Sequence, residues 1–451
     1  MPQKPSLLSL YGNLPKKNCN ECGFPTCMAF AAAILEGKVR LVDCPYISEE
    51  EKTRIESLIA APVAKLVFGK RKPLAIGDAR VMHRHELKFY NPTAIAVELS
   101  DSYSETGLET AIKKALDVKV ERQGETYSID AFAIRSDSGN AQAYAEATSE
   151  IINTTDHPLI LNCWDPTILE AGLEACDDEI PLIFAATKET LESYVELAKD
   201  HNAPLVVANE DLGQIRLMAK RASDRGLKVA LYPITMSLQE ALKSYITIRR
   251  GAIENKIQEF GHPLIGVPAS LTGKIDYSKE LWWRESLLAS ALVFRYSDAL
   301  IIKRAEIETL LPVITLRQGV FSDPKVPAKV KPGLHRCGSP DRSSPVLLTV
   351  NYALTYYLVT ADIDKAGIHC HLLVVDTGGM SVLNALAGGQ LKPETVSEAI
   401  KQTGLESTVS HKKLIIPGLA ARLRREIEDL SGWEVLAGPV ESRDIPLFLK
   451  K

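Results

Sequence analysis

Four cysteines, Cys19, Cys22, Cys27 and Cys44, fall within 26 residues in "KKNCNECGFPTCMAFAAAILEGKVRLVDC" (16–44), spaced C-x2-C-x4-C-x16-C. Thiolates are soft ligands that select zinc or iron–sulfur clusters. A structural zinc site often shows two matched C-x2-C pairs. Here a tight pair is followed by a third cysteine and a distant fourth, the pattern that commonly ligates a cubane [4Fe–4S] cluster. Zinc, and four unconnected buried cysteines, are the competing readings. Gly23 and Pro25 tighten the loop, and glycine lets backbone N–H groups approach the cluster sulfurs. The run "TCMAFAAAILEGK" reads as a short helix with Thr26 as N-cap and Gly37 as C-cap, and Pro45 turns the chain away after Cys44.

Other residues with chemical potential carry weaker signals. Cys163, Cys176 and Cys337 are isolated and read as small buried hydrophobes. His369, Cys370 and His371 resemble a metal box, but they lead into the apolar run "LLVVD", where alternate residues point to opposite faces of a strand. His369 and His371 share a face without a third ligand near in sequence, so a structural role is expected. "DTGGMSV" (376–382) offers a tight turn at Gly378 and Gly379, followed by a helix N-terminus suited to an anion. A plain strand–helix turn explains it about as well. The D-x-H-x-x-G signature, by which many cobalamin domains supply a histidine to cobalt, is missing. A corrinoid bound in this region would have no protein histidine on its lower face.

The elements that must hold these residues are α/β throughout. From about residue 92, short β-rich runs alternate with helical patterns: 93–99, 130–136, 158–164, 181–187, 203–209, 228–234, 263–269 and 298–304. Several are apolar throughout, as parallel strands covered on both faces are. Eight such units in roughly 230 residues predict a central (β/α)8 TIM barrel; an open doubly wound sheet is the alternative. Polar residues expected at the strand ends are Glu98, Asp101, Arg135, Ser136, Asn162, Asp165, Asn209, Glu210 and Asp211. Most of them read as loop residues serving capping and solvation. "SDPKVPAKVKPG" (322–333) reads as a linker. Beyond it, apolar strands ending in small residues predict a smaller C-terminal α/β domain whose ligands would sit at the carboxyl ends of its strands. The expected division is 1–58 for the cysteine domain, 59–91 as a linker, 92–325 for the barrel and 326–451 for the last domain.

Bulk composition excludes several classes. At 451 residues the chain exceeds one hydrophobic core. Its 45% hydrophobic and 24% charged content is ordinary for a soluble protein. A net charge of −4 without basic runs interleaved with aromatics argues against nucleic acid as a partner. No signal-peptide core and no stretch of transmembrane length occur, so a cytoplasmic protein without membrane contact is expected. In that reducing compartment clustered cysteines more often bind metal than form disulfides.

Six stretches, taken with the cysteine motif, resemble the large (gamma) subunit of the corrinoid/iron–sulfur protein of the acetyl-CoA synthase/decarbonylase system. They are "LPKKNCNECGFPTCMAFA", "TLRQGVFSDP", "LLTVNYALTYY", "LVVDTGGMSVLNALAGG", "KKLIIPGLAARL" and "GWEVLAGPVESRDIPLFLK", in family order over essentially the whole chain. The resemblance implies a methyl carrier of the reductive acetyl-CoA (Wood–Ljungdahl) route of carbon fixation. Its corrinoid Co(I) would take a methyl group from methyltetrahydrofolate or a methyl-tetrahydropterin and pass it to acetyl-CoA synthase. The [4Fe–4S] cluster would re-reduce inactive Co(II). The implied C-terminal fold is Rossmann-like (flavodoxin-like), and the implied corrinoid is base-off. The implied partners are a small subunit completing a heterodimer, a separate methyltransferase, CO dehydrogenase/acetyl-CoA synthase and a reductive activator. Carried over by motif, Cys19, Cys22, Cys27 and Cys44 would ligate the cluster. Thr349, Thr355, Gly379, Met380, Ser381, Val382, Leu383, Asn384 and Gly438 would contact the corrinoid. The chain departs from the family at Asn384, where threonine is usual, and at Gln390, where lysine is usual. A pterin-dependent methyltransferase in its own right, and an electron-transfer protein without corrinoid, are the alternatives.

Overall fold

The computed structural model describes residues 7–35, 39–122, 125–176, 178–272, 282–324 and 327–450. The chain divides into two compact units, Met1–Val118 with Ile129–Phe321, and Lys119–Ser128 with Ser322–Lys451. The first unit opens with α1 (Leu7–Gly12), α2 (Cys27–Leu35) and α3 (Glu49–Ile59). The Thr26 hydroxyl accepts from the Ala29 N–H at 3.1 Å, as an N-cap should. Gly37, its expected C-cap, lies outside the described residues. At α3 the Ser48 hydroxyl accepts from the Glu51 N–H and the Glu51 carboxylate from the Ser48 N–H, a reciprocal capping box. The helices close over a small core of Leu10, Leu14, Phe30, Ala31, Ile34 and Ile55, shared with Cys27 and Cys44.

Residues 59–91, expected as a linker, instead carry the antiparallel hairpin β1 (Lys65–Phe68) and β2 (Leu74–Gly77). Its Leu66, Phe68 and Ile76 join the buried cluster inside the barrel. The cause is side-chain volume. Many inward barrel positions are small, among them Ala94, Ala96, Ala131, Ala133, Ala208 and Ala230, so larger side chains from outside the barrel fill the space.

The chain continues through β3 (Ala94–Ser100) and a short antiparallel pair, β4 (Val120–Arg122) and β5 (Glu125–Tyr127). Then follow β6 (Ala131–Arg135), β7 (Leu159–Asn162), β8 (Leu182–Ala186), β9 (Leu205–Asn209), β10 (Val229–Pro233), β11 (Ile265–Gly266) and β12 (Ala299–Ile302). Each of the eight expected barrel strands is present. They form a parallel sheet in the order β10-β9-β8-β7-β6-β3-β12-β11. An isolated parallel bridge, Leu231 to Leu264, nearly closes it, with the Leu231 N–H donating to the Pro263 carbonyl at 2.7 Å. Intervening helices are α4 (Glu105–Asp117), α5 (Ala141–Thr154), α6 (Pro166–Glu174), α7 (Leu191–Asp200), α8 (Leu212–Asp224), α9 (Leu238–Ile253), α10 (Trp282–Phe294) and α11 (Ile307–Phe321).

The second unit holds the β4–β5 pair and a five-stranded sheet of β13 (Gly333–Cys337), β14 (Val346–Val350), β15 (Cys370–Val375), β16 (Lys413–Ile416) and β17 (Glu434–Ala437). The order is β13-β15-β14-β16-β17, with β13 antiparallel and the rest parallel. Its helices are α12 (Ala353–Lys365), α13 (Val382–Ala387), α14 (Pro393–Gln402), α15 (Leu405–Thr408), α16 (Arg424–Ser431) and α17 (Ile445–Leu449). Alternate residues bury on opposite faces: Val346, Leu348 and Val350 in one core, Leu347 with Leu372 and Val374 in the other. The stretch expected as a linker at 322–333 is in part stitched to this sheet. Val330 is buried and donates to the Asn351 carbonyl at 2.8 Å, and Ala328 accepts from the Ala353 N–H. Among the described residues, no helix is long and apolar enough to cross a membrane.

Candidate functional site

Cys19, Cys22, Cys27 and Cys44 line one cavity, walled by Leu14, Phe24 and Phe30. The loop that delivers them is wound tightly. Lys16, Asn18, Asn20 and Gly23 take φ of 58°, 49°, 64° and 81°. Left-handed residues interspersed in a loop turn successive N–H groups into an anion-binding concavity, and asparagine and glycine tolerate that region best. The Asn18 N–H points at the Cys27 sulfur at 3.4 Å, while the Asn18 side-chain oxygen accepts from the Cys27 N–H at 2.8 Å. Cys27 and Cys44 are buried, Cys22 is half-buried and Cys19 is exposed. Burial pushes the Cys44 thiol up from its ordinary value, and the charges of Cys22, Cys27 and Cys19 add to the rise. Four cysteines around one cavity are a soft donor set, and such a set fits an iron–sulfur cluster. Beside the cavity, the Lys17 ammonium lies 3.7 Å from the centre of the Tyr46 ring, and the Tyr46 hydroxyl donates to Glu21 at 2.7 Å.

The second group of expected residues lies along one edge of the C-terminal sheet. Thr349 is near the end of β14, Thr355 in the first turn of α12, Gly379–Leu383 and Asn384 after β15, and Gly438 after β17. All of them therefore sit at or just beyond the carboxyl ends of parallel strands. Asn351, which the sequence reading passed over, organises this edge. It is fully buried, and its side-chain oxygen accepts from the N–H groups of Thr377 at 2.9 Å and Gly379 at 3.0 Å. Its amide nitrogen donates to Asp376 at 2.8 Å, and Asp376 in turn accepts from the Gly378 N–H at 2.9 Å. An asparagine immediately after a run of apolar strand residues was the available signal.

The loop held this way is open in character. Gly378 and Gly379 have φ of 68° and 81°, and Met380 and Leu383 are exposed. So are Leu354 and Leu358 on α12, Leu419 after β16 and Val440 after β17. The hydroxyl of Thr349, a residue only 1% exposed, has no hydrogen-bond partner. A buried polar atom without a partner, beside an edge of exposed apolar side chains and loop glycines, fits a large planar group with polar side arms. The helix expected after this loop is present as α13, six residues long.

Elsewhere the structural readings hold. His371 is buried with Nε2 2.9 Å from the Asp341 carbonyl, and His369 accepts from the Ser339 N–H. Cys163, Cys176 and Cys337 are buried. Asp165 and Asp211 cap α6 and α8, and Asp101 accepts from the N–H groups of Asp137 and Ser138. The correction concerns Glu98, Arg135, Asn162 and Asn209, which are strand residues, not loop residues; the first three share the inward alternation of Ala94 and Ala96, of Ala131 and Ala133, and of Ile160.

A family model described as the CO dehydrogenase/acetyl-CoA synthase delta subunit matches residues 65–449, and one named for an Fe-S cluster matches residues 14–46. The chain is 38% identical over 450 residues to the acetyl-CoA decarbonylase/synthase complex subunit gamma of Methanothermobacter thermautotrophicus, covering 98% of each chain. It is 35% identical over 446 residues to the corrinoid/iron-sulfur protein large subunit of Moorella thermoacetica, again covering 98% of each. Among solved structures, dihydropteroate synthase of Thermus thermophilus gives a TM-score of 0.39 at 15% identity, covering 55% of this chain and 98% of that one. Because both relatives align from the cysteine segment to the C-terminal sheet, the chain belongs to the family of acetyl-CoA decarbonylase/synthase gamma subunits and corrinoid/iron–sulfur protein large subunits.

Proposed function

We propose that the chain is the corrinoid-binding methyl carrier of its complex, with a [4Fe–4S] cluster that restores the corrinoid when it is oxidised. The observation that carries this reading is the presence in one chain of a four-thiol cavity and a glycine-rich, apolar strand edge with a buried partnerless hydroxyl. When bound, a corrinoid supplies a nucleophilic Co(I) that takes a methyl group from a methyl-tetrahydropterin or methyltetrahydrofolate and yields it to acetyl-CoA synthase. Cys19, Cys22, Cys27 and Cys44 hold the cluster. Thr349, Thr355, Gly379, Met380, Ser381, Val382, Leu383, Asn384 and Gly438 face the corrinoid. The strand order β15-β14-β16-β17, all parallel, supports a Rossmann-like (flavodoxin-like) domain at about 326–451, and the helices around the cysteines support a cluster domain at 1–58.

A base-off corrinoid without protein histidine fits the placement of the four histidines in this unit. His369, His371 and His411 lie at the amino ends of their strands, and His335 lies within edge strand β13. Each has a hydrogen-bond partner within the protein. The exposed Leu354, Leu358, Met380 and Val440 favour burial beneath the corrinoid and a small subunit that completes a heterodimer. The methyltransferase, CO dehydrogenase/acetyl-CoA synthase and a reductive activator would then dock in turn, in the cytoplasm.

Metal analysis and an absorption spectrum of the purified protein test the reading. Iron and cobalt in a ratio of about four to one, with corrinoid bands over a broad iron–sulfur shoulder, are expected. Iron without cobalt would leave only electron transfer, and zinc alone would overturn both cofactor sites. Methyl transfer without an added methyltransferase would make the chain an enzyme in its own right.

A further inference from the structure

A cavity separate from the cysteine site lies within the first unit, at the amino end of β12. It is lined by residues after β2 and before β3, by α9, by the turn from α10 into β12, and by the end of α11. Its volume is about 40 Å³. A single water needs about 10–15 Å³, and a cavity that admits benzene measures about 150 Å³. The space therefore takes a molecule of a few heavy atoms and excludes an aromatic ring.

Arg249, on α9, lines this cavity and is only 2% exposed. Its Nη2 donates to the Asp298 carboxylate and to the Tyr296 carbonyl, each at 2.7 Å. Its Nε and Nη1 are buried without a hydrogen-bond partner. A guanidinium has only donors, so what these nitrogens lack is an acceptor. Asp298 answers the charge incompletely. The oxygen that pairs with Arg249 also accepts from the Leu264 N–H at 2.7 Å, and burial pushes the carboxyl up against the pull of Arg249. The lining carries three cations, Arg80, Lys88 and Arg249, against two anions, Asp78 and Asp298. Arg80 pairs with Asp78 at 3.1 Å, so the lining keeps one positive charge in excess. Asp78 and Tyr296 take left-handed φ of 61° and 73°. Such backbone, costly for a tyrosine, tends to cluster where a ligand is clamped.

We propose that this cavity binds a small monovalent carboxylate, no larger than about the size of acetate. Its oxygens accept from the unpartnered N–H groups of Arg249, and its charge balances the excess cation. Water alone would supply acceptors but not the charge, and a buried guanidinium needs both. The valine and phenylalanine walls, Val293, Val320, Phe89 and Phe321 among them, suit the carbon end of the molecule. The assignment is independent of the cofactor reading, since it uses neither the cysteines nor the C-terminal sheet.

NMR titration of the full-length protein with isotope-labelled acetate, in chloride buffer of constant ionic strength, tests it. Saturable line broadening in the millimolar range is expected, since so small a ligand has few contacts to make. Unlabelled formate should displace the acetate. Acetamide has the same shape but sets an amino group where acetate has an oxygen, and benzoate is too large for the cavity. Each should displace acetate at least about tenfold less well than formate. Arg249→Lys keeps a cation beside Asp298 and removes the guanidinium donors, while Val320→Phe fills the space from α11. Each should weaken acetate binding by about tenfold or more. Absence of saturable broadening, or acetamide competing as well as formate, would mean that the cavity holds only water and would overturn the site. Wild-type affinity in both variants would overturn it too. If Arg249→Lys fails to fold, Val320→Phe and the comparison of acetate with acetamide still decide. Cobalt and iron contents are unaffected by either result, so failure here is distinguishable from failure of the methyl-carrier reading.

Discussion

Asn351 concentrates the energetics of the C-terminal loop in one buried amide. It holds the N–H groups of Thr377 and Gly379 and, through Asp376, that of Gly378. Asn351→Leu would strand these groups, at a cost of about 2–4 kcal/mol, and release the loop that presents Met380. A lower urea midpoint together with loss of cobalt from the purified protein is the expected result; full cobalt retention would remove the loop from the corrinoid site. Glu285 makes a different residue-scale case. Burial pushes its carboxyl up to about 7, with Glu98 adding to the rise and the Lys303 N–H, Arg304 and the Lys303 charge opposing it. The folded chain therefore keeps a proton that the unfolded chain releases near its ordinary value of 4.5. The stability from this group is complete below that value and is lost as pH rises through about 7. Glu285→Gln retains the acceptor for the Lys303 N–H and has no charge to bury. It should gain on the wild type between pH 5 and pH 8 by about 1–3 kcal/mol, read from unfolding midpoints at the two pH values.

At the scale of elements, what could be read from the sequence depended on how each strand is buried. The eight barrel strands are covered on both faces and appear as apolar runs, so their number and order were legible. The β1–β2 hairpin was not, because it fills space left by alanines that are distant in sequence and only become neighbours in the barrel. Edge strand β13, "GLHRC", is mostly half-buried and lacks an apolar run. The cysteine site was legible from spacing alone, whereas Asn351 was not, since a strand-end asparagine looks like any turn former. Glu98, Arg135 and Asn162 looked like loop residues because the strands run further than the apolar pattern does. The loop after β15 allows a paired check. A Cβ added at Gly379 would lie 3.1 Å from the Pro327 carbonyl and 3.3 Å from the Lys329 Cβ, whereas one at Gly378 meets nothing. Both residues are left-handed, so each alanine carries about 1–2 kcal/mol of backbone strain. Gly379→Ala should destabilise further and displace the loop after β15, while Gly378→Ala should show the backbone cost alone. Equal urea midpoints for the two variants would mean that the approach of Pro327 has no energetic weight.

For the whole molecule, the two expected cofactors make separable demands on folding. Among the described residues, the helices around the cysteines share a core of nine buried residues, two of which are the thiols Cys27 and Cys44. A core that small rarely stabilises a domain without a metal or a disulfide. The barrel has a far larger apolar interior and should stand without the cluster. Cys22→Ala should therefore abolish reduction of the corrinoid by low-potential donors while leaving cobalt bound. In the same variant, or after iron is removed by a chelator, amide-exchange protection should collapse across residues 7–59 and persist in the barrel strands. Reduction at the wild-type rate would remove the cluster from the reactivation path. Undiminished protection of α2 and α3 in the iron-free protein would show that these helices fold on apolar contacts alone, leaving the four thiols as ligands without a structural role.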